Sequence, residues 1–211
     1  MDYTQFERTA ANIRTGIIKA VHNAGSGHPG GSLSAADLVT ALYFKEMNID
    51  PKNPKMEGRD KFILSKGHAA PAQYAALAER GYFPKEDILQ LRKLGSPFQG
   101  HPNMKKVPGI EMSTGSLGQG FSVAGGMAMA NKLDQNPGRI YVLLGDGELQ
   151  EGLVWEAAMS AAHYNLDNLT AIVDWNGLQI DGKNEDVMTV TPVDEKFRAF
   201  GWNVRSEEHT S

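Results

Sequence analysis

Two segments of the 211-residue chain end apolar runs on oxygen-bearing side chains: IYVLLGDGELQEG, Ile140 to Gly152, and LTAIVDWNG, Leu169 to Gly177. The first run stops at Asp146 between two glycines, the second at Asn176. A carboxylate oxygen, an amide oxygen and a main-chain carbonyl are hard ligands of the kind Mg2+ prefers, and they leave octahedral positions for phosphate oxygens and water. Glycines let backbone N–H groups approach a diphosphate closely near a helix N-terminus. Taken singly, Asp146 reads as a helix cap and Asn176 as a turn residue; paired at consecutive strand ends, they point to a metal and a diphosphate. Three histidines add to them, each in a glycine-flanked loop: His28 in SGHPG, His68 in SKGH and His101 in QGHP. Imidazole titrates near neutrality, which suits hydrogen bonding and proton transfer to a substrate. His22 and His163 fall in helical patterns and are read as structural.

These residues need a scaffold that brings strand ends together. Phe6, Ala10, Ile13, Ile17 and Val21 recur at helical spacing and predict an amphipathic first helix. NAGSGHPGG then reads as an irregular loop, and Ser34 with Asp37 as a cap opening a second helix to about Phe44. KFILS, Lys61 to Ser65, predicts a short strand, followed by KGHAAP and a helix to about Arg80. FPKEDILQLRKLG predicts a helix with Pro84 at its start and Gly95 past its end. A long loop, GSPFQGHPNMKKVPGIEMSTGSLGQG, leads into a small-residue helix, QGFSVAGGMAMANKL. RIYVLLG, LVWEAAMSAAHYN and LTAIVDW then predict strand, helix and strand. The strands are continuously apolar, as in a parallel sheet buried on both faces and flanked by helices. Ligands of such α/β sheets bind at the carboxyl ends of the strands, where Asp146 and Asn176 lie.

Composition sets bounds. Hydrophobic residues make up 41% of the chain, enough for a sizeable core. The net charge of −4 gives no basic footprint for nucleic acid. No apolar run is long enough to cross a membrane, and the amino-terminal segment is not a signal peptide. The absence of cysteine excludes disulfides, thiolate metal sites and cysteine nucleophiles. A cytoplasmic protein is expected.

GDGELQEG followed by VDWNGLQIDG resembles the thiamine-diphosphate signature of transketolases. SGHPGGSLSAAD, FILSKGHAAPAQYA, GYFPKEDILQLRKLGSPFQGHP and STGSLGQGFSVAGGMAMA are similar to the same family, in its order, from about Phe6 to Val204. GHPGGS and STGSLGQG look more like the amino-terminal subunits of two-chain transketolases than the single-chain enzymes. The resemblance implies a three-layer thiamine-diphosphate-binding α/β fold with a mostly parallel sheet, and transfer of a two-carbon ketol unit between sugar phosphates. It implies thiamine diphosphate and Mg2+ as cofactors, the metal held by Asp146, Asn176 and the carbonyl of Leu178. Gly147 would place its N–H on the diphosphate, Gly115 and Leu117 would line the cofactor, and Ile180 would lie against the thiazolium ring. His28 and His101 would face the substrate, and His68 the diphosphate and the reacting centre. Glu151 would sit near the subunit interface in a supporting role.

The family's pyrimidine-binding domain and its activating glutamate are not in this sequence, nor are its sugar-phosphate arginines. A partner chain, the carboxy-terminal transketolase subunit, is therefore expected, in a hetero-oligomer. The rivals are a deoxyxylulose-phosphate-synthase-like enzyme, a non-catalytic module of the same fold, and an Mg-dependent phosphohydrolase using Glu148 or Asp174 beside Asp146. Residues 1–204 read as the diphosphate-binding domain, cut short at its carboxy-terminal end. The tail RSEEHTS, Arg205 to Ser211, carries no strand pattern and matches the translation of a common sequencing adapter. It is read as non-native, and His209 is given no role.

Overall fold

The computed structural model describes residues 2–206. Helix α1 (Tyr3–Ala24) opens on a reciprocal cap between Asp2 and Gln5 and closes on Gly25 in the left-handed conformation. Short helices α2 (Pro29–Ser34) and α3 (Ala36–Ala41) follow, then a wide helical turn at Leu42–Glu46. Strand β1 (Lys61–Leu64), helices α4 (Ala70–Arg80) and α5 (Gln119–Leu133), strand β2 (Ile140–Gly145), helix α6 (Gly152–His163) and strand β3 (Leu169–Asp174) build the body. A hairpin of β4 (Leu178–Gln179) and β5 (Gly182–Lys183) comes next, then α7 (Asn184–Val187) and α8 (Val193–Ala199).

Strands β1, β2 and β3 lie side by side in parallel, with Leu64 opposite Leu143 and Gly145 opposite Asp174. Successive strand side chains point to opposite faces, and the apolar runs use both. Phe62, Leu64, Tyr141 and Leu143 pack in one core with Ile13 and Ile17 of α1, Val39 of α3 and Leu77 of α4. Ile63, Val142 and Leu144 pack in a second core with Phe121 of α5 and Val154 of α6. Helices, sheet and helices form three layers, the α/β arrangement that the continuous apolar strands predict. No helix among the described residues is long and apolar enough to cross a membrane.

Several local expectations are corrected. The glycine-rich HPGGS segment is helical: Pro29 sits in the first turn of α2, where its fixed φ is favourable. Ser34 therefore ends that helix rather than capping the next, and its hydroxyl donates to Asp174 Oδ1 at 2.7 Å; Asp37 pairs with Arg14 instead of closing a capping box. The helix expected from Pro84 to Gly95 is only a 3-10 turn, Lys85–Gln90. Leu91 is buried in extended geometry, and Arg92 takes a left-handed φ of 59° while its N–H donates to the Phe98 carbonyl at 2.8 Å. Tertiary burial overrides helix propensity there. Strand β3, expected to be buried on both faces, is half-buried along its middle, being at an edge of the described sheet. After Gly201 the described chain takes no strand: the Trp202 indole N–H donates to the Ala158 carbonyl at 2.9 Å, and its ring packs on Phe121 and Phe197. Residues 207–211, most of the tail read as non-native, lie outside the described residues.

Candidate active site

Because β2 and β3 are adjacent and parallel, their carboxyl ends open on one edge. Asp146 follows β2 and is 1% exposed. Its Oδ1 accepts from the Gly147 N–H at 2.9 Å, and its Oδ2 accepts from the Gly177 N–H at 2.5 Å. The second bond ties the two strand ends together. Asn176, exposed, precedes Gly177, and its Oδ1 accepts from the Leu178 N–H at 2.9 Å. The sources of oxygen expected around a divalent ion thus sit on two segments joined at Asp146, whose N–H also donates to the Asp174 carbonyl at 3.3 Å. Each carboxylate oxygen spends one lone pair on these N–H groups and keeps another. Such a donor set fits Mg2+, with Asp146 as its one charged member. Gly147, expected to offer its N–H to a diphosphate, here gives it to Asp146.

The loops carrying the three histidines converge. The His28 and His68 rings meet edge to face with centroids 5.4 Å apart. A Cβ on Gly31 would lie 3.2 Å from His68 Nε2, and one on Gly115 would lie 3.1 Å from the His101 ring. A Cβ on Gly67 would lie 2.8 Å from the backbone of both Thr114 and Gly115, so only glycine admits that approach of the SKGH and STGSLGQG loops. The Thr114 hydroxyl fastens the contact by donating to the Leu64 carbonyl at 2.6 Å. The buried Tyr74 hydroxyl lies 3.0 Å from the Gln99 carbonyl and 3.1 Å from that of His101, and so seats the QGHP loop on α4. Burial, then the Lys66 ammonium and the neighbouring histidines, lower the His68 pKa to about 4, against the opposing pull of Asp174. Burial, then Arg92 and His28, lower that of His101. Both rings are thereby held neutral near pH 7, each with a nitrogen able to accept a proton.

The remaining expected residues surround this centre less tightly. Leu117 is half-buried beside Gly118, where a Cβ would meet Glu151 Cβ at 3.2 Å, so the exposed Glu151 lies against the STGSLGQG loop. Ile180 stands in the β4–β5 turn, 92% exposed.

A polar network beneath the site escaped the sequence reading. Lys66, 1% exposed, donates to Asp174 Oδ2 at 2.7 Å while Ser34 holds the other oxygen. Glu148, also buried, accepts from the Gly118 N–H at 2.8 Å, the Gly145 N–H at 3.0 Å and the Ser65 hydroxyl; burial still raises its pKa against these bonds. A buried lysine inside a glycine loop has no periodicity to announce it; its place in SKGH was the one available signal. The two carboxylates that a phosphohydrolase reading needs beside Asp146 are thus committed to internal partners. Among the described residues no group of three or more His, Cys, Asp or Glu side chains is arranged to hold a metal.

The chain matches a family model described as the transketolase thiamine diphosphate binding domain over residues 6–211. It is 49% identical over 194 residues to the 6-deoxy-6-sulfo-D-fructose transketolase subunit of Clostridium sp. (strain MSTE9), covering 92% of this chain and 70% of that one. It is 45% identical over 204 residues to an apulose-4-phosphate transketolase subunit of Phocaeicola vulgatus, covering 97% of this chain and 72% of that one. The solved transketolase from Leishmania mexicana superposes with a TM-score of 0.88 at 34% identity, over 93% of this chain and 31% of that one.

Proposed function

The chain belongs to the transketolase family, as a thiamine diphosphate binding subunit of the two-chain type, and from that premise we propose how its residues serve ketol transfer. Asp146, Asn176 and the Leu178 carbonyl would hold Mg2+, which would supply positive charge to balance the cofactor diphosphate. His68 and the backbone at Gly147 would face the diphosphate, Gly115 and Leu117 would line the cofactor, and Ile180 would flank its ring. Thiamine diphosphate, when bound, supplies the carbanion chemistry, and the protein positions it and manages protons. His28 and His101 hold the sugar hydroxyls, and the neutral His101 ring can take up a proton at its ring nitrogen. The observation that carries this reading is the Asp146–Gly177 hydrogen bond, which places the carboxylate against the Asn176–Leu178 turn.

The substrates are ketoses with an anionic group far from the carbonyl: the relatives' names specify a sulfonated fructose and a sugar phosphate. The partner is a carboxy-terminal subunit bearing the pyrimidine domain, in a hetero-oligomer. Exposed apolar side chains around the site, Trp175, Leu178, Ile180 and Met188, support burial by a second chain.

Ketol transfer between a ketose phosphate and an aldose phosphate, followed with this chain alone, with the partner alone and with both, tests the proposal. Turnover should require both chains together with thiamine diphosphate and Mg2+. Robust turnover by this chain alone would overturn the divided site.

A further inference from the structure

The hairpin that carries the Leu178 carbonyl has two residues in each strand, Leu178–Gln179 and Gly182–Lys183. A ladder so short does not hold itself in water. Its base is held by the Asn184 N–H, which donates to the Gly177 carbonyl at 3.0 Å, and by Gln179 Nε2, which donates to Asn184 Oδ1 at 2.6 Å. A Cβ on Gly147 would lie 3.3 Å from Gln179 Cβ and 3.4 Å from Asn184 Oδ1, so the two side chains rest on Gly147 itself. On the far side the Met188 N–H donates to the Asn184 carbonyl, and the Met188 carbonyl accepts from Gln150 Nε2 at 2.8 Å. Asn184 is 4% exposed, and its Nδ2 has no hydrogen-bond partner among the described residues. Burying an amide with an unanswered donor is costly, and apolar side chains would fill the same space without that cost. The polar pair therefore answers a need for direction rather than volume.

We propose that Gln179 and Asn184 form a positioning clasp: braced on Gly147, their side-chain hydrogen bond holds the Asn176–Leu178 turn in register with Asp146, so that the metal-binding oxygens are preformed. Neither side chain touches the ion. The clasp rests on the reading of Asp146, Asn176 and Leu178 as the Mg2+ site.

The test uses this chain reconstituted with its carboxy-terminal subunit. Thiamine diphosphate binding is followed by calorimetry across a Mg2+ series for wild type, Asp146→Ala, Gln179→Ala, Asn184→Ala and the double variant Gln179→Ala/Asn184→Ala. Each clasp variant should raise the Mg2+ concentration for half-saturation by about tenfold, the scale of an unmade buried hydrogen bond. The double variant should be little worse than either single one, because both remove the same bond. The melting temperature without Mg2+ should stay near wild type; a merely structural role would lower it and leave the Mg2+ requirement in place. If Asp146→Ala abolishes metal-dependent binding while the clasp variants keep the wild-type Mg2+ requirement, or add independently, the clasp is wrong and the metal site stands. If Asp146→Ala binds as wild type does, the metal site itself is wrong and the clasp goes with it.

Discussion

Replacing Asp146 by alanine should abolish Mg2+-dependent binding of thiamine diphosphate and, with it, turnover. Asp146 is the one charged ligand in the proposed set, and its carboxylate also holds the N–H groups of Gly147 and Gly177. Alanine removes the charge that balances the ion and releases the turn carrying Asn176 and Leu178. Changes to groups that merely support a metal ligand already cost about 10–100-fold in affinity, so loss of the charged ligand should exceed roughly 100-fold. Asp146→Asn separates the two contributions: the amide keeps an acceptor for one N–H but lacks the charge. Calorimetric titration with thiamine diphosphate, with Mg2+ and with chelator, measures both variants. Unchanged affinity in Asp146→Ala would remove the ion from this position.

The largest effect on stability should come from Lys66→Met. The substitution leaves Asp174, 7% exposed, with the Ser34 hydroxyl as its remaining side-chain partner and no cation. Removing one member of a buried ion pair costs about 3–5 kcal/mol, because the other charge stays desolvated and uncompensated. Urea unfolding of the purified chain should show that loss. The double variant Lys66→Met/Asp174→Leu should lose less than Lys66→Met alone, because no charge is then stranded. A second readout follows from the Lys66 ammonium beside His68: without it the His68 pKa should rise from about 4 toward its ordinary value, which NMR titration of the imidazole reports. A loss below about 1 kcal/mol would show that the pair is solvated and worth no more than a surface bridge.

What was legible in the sequence and what was not divides along physical lines. The β2 and β3 runs, apolar and ended by GDG and DWNG, announced two adjacent parallel strands whose carboxyl ends meet on one edge, although β3 is only half-buried along its middle. Gly67 marked the place where the SKGH and STGSLGQG loops pass too close for a Cβ, and Gly31 and Gly115 marked tight approaches to the His68 and His101 rings. The π-like turn at Leu42–Glu46, the extended Leu91 and the helical HPGGS segment were not legible, since long-range packing decides them and local propensity points elsewhere. The same holds for Ser34, Lys66 and Glu148. Each is a polar residue placed by partners far along the chain, as with Ser34 and Asp174 or Ser65 and Glu148, which local pattern does not report. The roles of His28, His68 and His101 as a set came from loop composition and resemblance; their convergence needed the fold.

The central claim is that this chain grips thiamine diphosphate through a metal at the joined ends of β2 and β3. Its most direct test is a crystal of the reconstituted two-chain enzyme grown with thiamine diphosphate and Mn2+ in place of Mg2+, with anomalous diffraction recorded for the manganese. The anomalous peak should fall among the Asp146 carboxylate, the Asn176 amide oxygen and the Leu178 carbonyl, bridging to the diphosphate. A bound cofactor with its metal elsewhere, or with no metal at that position, would contradict the account.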